Sequence, residues 1–211
     1  MRTWIILLSL FTLASDAHSA DYWPFHANCT YHYLGPNGHT MVVQWTTNSY
    51  GLGVVYRTFD STGALRKTSW EQFALGSGGD VTLSDYGVYV EGAFDPYVVS
   101  YSPPITFIDA PLTVGQSWLS FGQMIPRWPS APYVEGFTVD RSETVTVPYG
   151  TFDVLVVTER ALLADTGRGG VHYLNRELGP VVLGGSYELV AIESPVGVAG
   201  MTWGAVKALF R

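Results

Sequence analysis

Apolar and polar residues alternate along most of this chain, which is the pattern of strands that bury one face. β-Branched and aromatic residues dominate the alternating segments, and such residues fit the half-buried surface of a sheet. Clusters of Gly, Pro, Asn, Asp and Ser lie between most segments and predict turns. Many short strands with Gly-rich turns predict an all-β protein, either an antiparallel half-open barrel or a β-sandwich. The segments cover residues 40–47, 52–59, 87–94, 97–101, 105–108, 143–147, 153–160, 171–178 and 186–193.

Two stretches depart from this alternation. Residues 122–136 contain three prolines and Trp128, and we expect a loop there because proline donates no hydrogen bond to a sheet. The loop would be a lip over a cavity or a plain crossover. Residues 196–211 predict a short C-terminal helix with Trp203 and Phe210 along one side. Because so short a helix is unstable alone in water, it should dock on its own domain or on an envelope or export partner.

The first residues have the layout of a secretion signal. An arginine precedes an apolar run, and Ala17-His18-Ser19 fits the pattern of a cleavage site. We expect a signal peptide over residues 1–19, a β-rich domain over 20–195 and a tail over 196–211. An uncleaved N-terminal anchor is the alternative. No later apolar run predicts a membrane span in the mature chain, so the expected location is secreted, periplasmic or at the cell surface.

Composition restricts the class of partner. Charged residues and aromatic residues each make up 14% of the chain, a profile that favours a folded secreted domain over a disordered one. The net charge is −7, and no basic stripe exists to attract a nucleic acid, so we expect none as a partner. The single cysteine, Cys29, excludes an intramolecular disulfide. No Gly-rich phosphate loop precedes a helix, and no cofactor is expected.

The stretch "HANCTYH" carries the side chains of a metal site. His26, Cys29 and His32 are spaced for one face of a helix, but the segment has strand character. In a strand Cys29 points away from both histidines. His39 could return across the "GPNG" turn to join them. The sequence therefore predicts an ordinary strand, with a zinc or copper site at His26, His32 and His39 as the minority hypothesis.

The sequence contains no recognisable catalytic motif. No Gly-x-Ser-x-Gly stretch is present. His172 lies in an alternating segment, and the sequence identifies no serine as its catalytic partner. Glu91 with Asp95, or Glu177 with Glu188, would supply carboxylate pairs, but their separation does not follow from sequence. We therefore predict no catalytic residue and treat a hydrolase as a lesser alternative.

Aromatic residues are more numerous than a core of this size needs. They would pack across strands, or they would line a site for an apolar ligand or a sugar. The candidate ligand-binding residues are Trp45, Tyr56, Tyr89, Trp118, Trp128 and Tyr173.

Two segments of the chain have a similar layout. Residues 24–35 and 111–122 share a proline, an apolar anchor, a turn and an aromatic that opens a strand. In this alignment Asn28 matches Gly115 and Tyr31 matches Trp118. The repeated positions suit a scaffold, since the histidines and the cysteine are not repeated.

Several motifs resemble those of uncharacterised secreted or lipid-anchored bacterial proteins. These are "VTVPYGTF" at 145–152, the aromatic strand at 171–183, the opening at 21–33 and "PLTVGQSW" at 111–118. The opening departs from the usual Gly-Asn-x-Trp, which puts its tight turn in question. The folds of these proteins are similar to the half-open barrels of lipoprotein carriers. Together with the surplus of aromatic residues and the absence of catalytic motifs, this resemblance favours a non-enzymatic envelope or extracellular protein that binds a lipid or other amphipathic molecule in a concave sheet. A surface adhesion or carbohydrate-binding module is the alternative.

Overall fold

The computed structural model describes residues 22–23, 28–48, 51–126, 130–163 and 169–193. These residues form twelve β-strands and one 3-10 turn, Pro36–Gly38. The strands are β1 Thr30–Leu34, β2 Thr40–Asn48, β3 Gly51–Phe59, β4 Leu65–Leu75, β5 Val81–Val90, β6 Tyr97–Ile108, β7 Ser117–Pro126, β8 Ala131–Val147, β9 Gly150–Leu163, β10 Gly170–Asn175, β11 Gly179–Leu183 and β12 Tyr187–Glu193.

Each strand pairs with its neighbours in the chain, and β1 also pairs antiparallel with β12, so the sheet closes into a barrel. The predicted all-β antiparallel fold is confirmed. Of the two predicted architectures the structure has the barrel, and it is closed rather than half-open. The predicted signal peptide at 1–19 and the C-terminal helix at 196–211 lie outside the described residues.

The predicted loop at 122–136 is much shorter in the structure, because β7 continues to Pro126 and β8 begins at Ala131. Pro132 lies within β8, opposite Gln123 of β7. Over the described residues the pairing of β8 with β9 begins at Val134. Pro132 is the second residue of β8, and proline is found near strand ends and edges, where its missing N–H disturbs the sheet least.

Side chains from the inner face fill much of the barrel. Along β2, Met41, Val43 and Trp45 are buried at alternate positions, as expected for a strand with one inward face. Trp23, which precedes β1, is also fully buried. Its ring centroid lies 4.7 Å from that of Phe107 and 5.6 Å from that of Trp45. The N-terminal segment thus contributes to the core inside the barrel.

The direction of the strands places every second turn at the same end of the barrel. The turns after β1, β3, β5 and β11 therefore lie together. We call this end the cavity end, because the candidate site described below opens there.

Candidate ligand-binding cavity

A cavity of about 340 Å³ lies inside the barrel at the cavity end. Its lining combines aromatic, aliphatic and ionisable side chains from strands on opposite sides of the barrel. The volume is near the lower end of the range for small-molecule sites. The cavity therefore suits a small ligand, and its chemistry depends on the polar groups on its walls.

One polar wall comes from β3 and β4. Lys67, Ser69 and Glu71 alternate along β4 and line the cavity, because residues two apart in a strand share a face. The hydroxyl of Tyr56 on β3 donates to Oε2 of Glu71 at 2.6 Å. A hydrogen bond of this length to a carboxylate is charge-assisted, so Glu71 and Tyr56 form a fixed pair.

The second polar wall comes from β9 and β10. Nε2 of His172 lies 3.1 Å from Oε2 of Glu159, and Glu159 is only 3% exposed. A carboxylate accepts hydrogen bonds, so this contact places the proton on Nε2. No hydrogen-bond partner for Nδ1 of His172 occurs among the described residues. This hydrogen bond fixes the imidazole ring of His172 beside Glu159.

Aromatic rings form the inner end of the cavity. Trp23 and Phe107 both line it. The Phe107 ring also meets His172 edge-on, with centroids 6.0 Å apart. The indole Nε1 of Trp23 is buried and has no hydrogen-bond acceptor within the part of the chain that the structure describes. The inner end therefore offers mainly apolar contact and one N–H donor.

The rim includes Tyr187, the first residue of β12. Its ring packs on Gly35, where a Cβ atom would lie 2.5 Å from Cε1 of Tyr187. Only glycine leaves room for the ring in this position. The backbone between β1 and β2 thus contributes to the shape of the entrance.

The structure places the predicted ligand-binding residues in different surroundings. Tyr56 lines the cavity. Trp45 is buried in the core and contacts Trp23 and Tyr31. The remaining described members are not part of the cavity lining: Trp118 stacks on Phe137 with centroids 5.2 Å apart, Tyr89 lies opposite Thr68, and Tyr173 lies opposite Val156 and Val182. Trp128 lies outside the described residues.

The histidines of the metal hypothesis do not converge where they are described. His32 contacts Glu193, with Nε2 and Oε1 3.3 Å apart, while His39 lies in the connection before β2. Cys29 is buried, on the same side of the strand as the buried Tyr31. His26 lies outside the described residues. Among the residues that are described, no group of three or more His, Cys, Asp or Glu side chains could hold a metal ion.

Sequence reasoning missed the carboxylates of the cavity. Glu91 and Asp95 are exposed near the turn after β5, and Glu177 and Glu188 are exposed as well. The cavity instead uses Glu71 and Glu159. Both follow the inward positions of their strands, beside the buried Phe73 and Val157 respectively. A charged residue on the apolar side of an alternating strand was the available signal, since such residues are rarely buried unless they are paired.

Comparisons with known proteins add little to this site. No family model matches the chain, and no curated protein matches it. One solved structure from Parabacteroides distasonis, provisionally described as a lipoprotein, matches 83% of this chain and 99% of its own, with 13% identity and a TM-score of 0.41. A likeness this distant carries no argument about ligand or activity. Over the described residues, no helix is long and apolar enough to cross a bilayer.

Proposed function

We propose that this protein is a secreted or envelope-associated, non-enzymatic protein that binds a small amphipathic molecule inside the barrel. The observation that carries the proposal is the cavity of about 340 Å³ with polar walls and an aromatic inner end. Such a mixture of apolar surface and a few placed polar groups is typical of small-molecule sites. A lipid fragment or another compact amphiphile fits this description.

The contacts of His172 favour binding over nucleophilic catalysis. An activated serine, threonine or cysteine needs a hydrogen bond to a base. Nε2 of His172 is directed to Glu159, and Nδ1 has no partner in the described part of the chain. No nucleophile is therefore paired with this histidine among the described side chains.

The exposed surface gives less support to a surface adhesion or carbohydrate-binding module. That alternative requires an exposed row of tyrosine and tryptophan side chains. Among the described residues, the exposed large apolar side chains include Tyr97 but no tryptophan. We therefore favour an internal site over a flat external one.

Native mass spectrometry of protein purified from its own host tests the proposal. We expect a co-purified small molecule that is lost when Ser69→Phe fills the cavity from β4. Thr68→Phe is the matched control, because Thr68 is next to Ser69 but lies on the opposite face of the strand. Retention of the molecule by the Ser69→Phe variant, or its loss from both variants, would contradict a site inside the barrel.

The location and the tail belong to the same proposal. We expect cleavage after Ser19, which N-terminal sequencing of the exported protein would detect. The segment 196–211 would engage an export or envelope partner. Truncation after Pro195 should then leave the barrel folded, by circular dichroism, but change the cellular fraction in which the protein is found. An unchanged distribution would count against a role for the tail.

A further inference from the structure

We propose that the cavity selects a small organic cation, with its ammonium group held between aromatic rings and the carboxylates of Glu71 and Glu159. This inference rests on the proposed function and names the chemical class of the ligand. Three features of the described structure support it: the position of the acidic groups, the aromatic surface and the volume.

The acidic groups lie deep in the site. Glu71 is 8% exposed and Glu159 is 3% exposed, and both line the cavity. Lys67 lines it as well, but it precedes Glu71 by four residues on β4 and lies closer to the cavity end. At about 3.3 Å per residue the two Cα atoms are roughly 13 Å apart. The inner part of β4 therefore presents one carboxylate to the cavity, and Glu159 presents a second one that accepts a hydrogen bond from Nε2 of His172, whereas the lysine is nearer the entrance.

Aromatic side chains surround the same space. Trp23, Tyr56, Tyr86, Phe107 and Tyr187 all contribute to the lining. The face of an aromatic ring attracts a cation, and the attraction grows when the cation leaves water. Carboxylates add to this attraction, whereas they repel an anion of the same shape. The combination favours an ammonium group, especially one with methyl substituents that contact the rings.

The volume limits the size of the ligand. A water molecule occupies about 30 Å³ in the liquid, so a cavity of about 340 Å³ corresponds to roughly eleven water-sized volumes. A compact cation fits within this volume. Choline is a suitable probe because 3,3-dimethylbutan-1-ol has nearly the same shape without the charge, and 3,3-dimethylbutanoate carries the opposite charge.

Isothermal titration calorimetry with these three probes tests the inference on the unaltered protein. We expect choline to bind at least about tenfold more tightly than the neutral alcohol and the butanoate to bind most weakly. Glu71→Gln and Glu159→Gln should each reduce the preference for choline while keeping the side-chain volume. Glu188→Gln is the control, because Glu188 is exposed on β12 and should leave the preference unchanged.

The outcomes separate this inference from the proposed function. Equal or tighter binding of the neutral alcohol would overturn the cation selectivity and leave a cavity for uncharged amphiphiles. Absence of binding by all three probes, together with no co-purified molecule, would overturn both proposals. The comparison of choline with its neutral isostere uses the unaltered protein, so it decides the question even if a variant fails to fold. Thermal melts of the variants show whether their data can be used.

Discussion

At the scale of single residues, the entrance of the cavity depends on one glycine. A Cβ atom at Gly35 would lie 2.5 Å from Cε1 of Tyr187, although the φ angle of Gly35 is −103° and suits any residue. We predict that Gly35→Ala displaces the Tyr187 ring and destabilises the protein by about 1–3 kcal/mol, as overpacking does. Urea unfolding measures this loss. In a Tyr187→Ala background the same change should cost less than about 0.5 kcal/mol, and an equal cost in both backgrounds would disprove the clash.

Asp60 is a second residue with a defined local role, in the turn between β3 and β4. Its carboxylate accepts hydrogen bonds from the Thr62 hydroxyl at 2.6 Å, from the backbone N–H of Thr62 and Ala64, and from Nε of Arg66 at 2.7 Å. These donors, the Thr62 hydroxyl first, hold the pKa of Asp60 well below its usual range. The turn is thus stabilised by the ionised carboxylate.

The sign of the pH dependence follows from this lowered pKa. The stabilisation by Asp60 is present above the unfolded-state pKa of about 3.9 and is lost as the pH falls towards the lower folded-state pKa. We predict that Asp60→Asn lowers the Tm at pH 7 and that the gap to the parent narrows between about pH 4 and pH 2. Asp95→Asn, at another exposed turn position, should show no such gap. A gap that is constant with pH would refute this role.

At the scale of elements, β1 and β7 begin with the same turn. Asn28 has φ 64° and Gly115 has φ 88°. The N–H of Asn28 donates to the carbonyl of Trp45, whose N–H donates to the carbonyl of Cys29. Gly115, Val139 and Gln116 repeat this pair of hydrogen bonds in the same order. Over residues 28–35 and 115–122, the two similar segments therefore share the same strand entry, with Asn28 in place of the usual glycine.

The left-handed backbone at Asn28 gives a prediction for this entry. Asn28→Ala should destabilise the protein by about 1–2 kcal/mol, because an alanine is strained at positive φ. Asn28→Gly should stay within about 0.5 kcal/mol of the parent, because glycine adopts this conformation freely. Chemical denaturation of the two variants makes the comparison. Equal stabilities would show that the turn does not depend on its backbone angle.

Local patterns predicted local elements well, and long-range pairing could not be read from them. Alternation predicted most strands, and "VPYG" predicted the turn in which Val147 pairs with Gly150. Strand β4 was not predicted, because the inward-facing Glu71 interrupts the apolar side of its alternating pattern. Closure needs Thr30 to meet Glu193, and the cavity needs β4 to face β9 across the barrel. No local signal encodes contacts between residues so far apart in the chain.

At the scale of the whole molecule, the number of strands explains why the barrel has both an internal tryptophan and a cavity. About eight strands enclose a space that their own side chains can fill. Twelve strands, counted over the described residues, enclose more than that. Trp23 fills part of the excess from the N-terminal segment, and the cavity of about 340 Å³ is the part left open. The cavity is thus a consequence of barrel size.

Closure of the barrel depends on the short strand β1. β1 has five residues and joins β2 to β12, so its loss would leave two free edges. His32 lies opposite Val42 on one side and Ala191 on the other. His32→Pro removes its backbone N–H, and we predict a cost of about 2–4 kcal/mol from the lost hydrogen bond and its unsatisfied acceptor.

His32→Ala is the matched variant for this prediction, because it keeps the backbone N–H and changes the side chain alone, including its partly exposed contact with Glu193. A partly exposed contact of this kind is worth at most about 1 kcal/mol. Urea unfolding followed by tryptophan fluorescence should therefore separate the two variants by more than about 1 kcal/mol. Free strand edges can pair with other molecules of the protein. We therefore expect the His32→Pro variant, but not the His32→Ala variant, to associate with increasing concentration, as measured by light scattering. Equal stabilities of the two variants would mean that β1 is not needed to hold the ends of the sheet together.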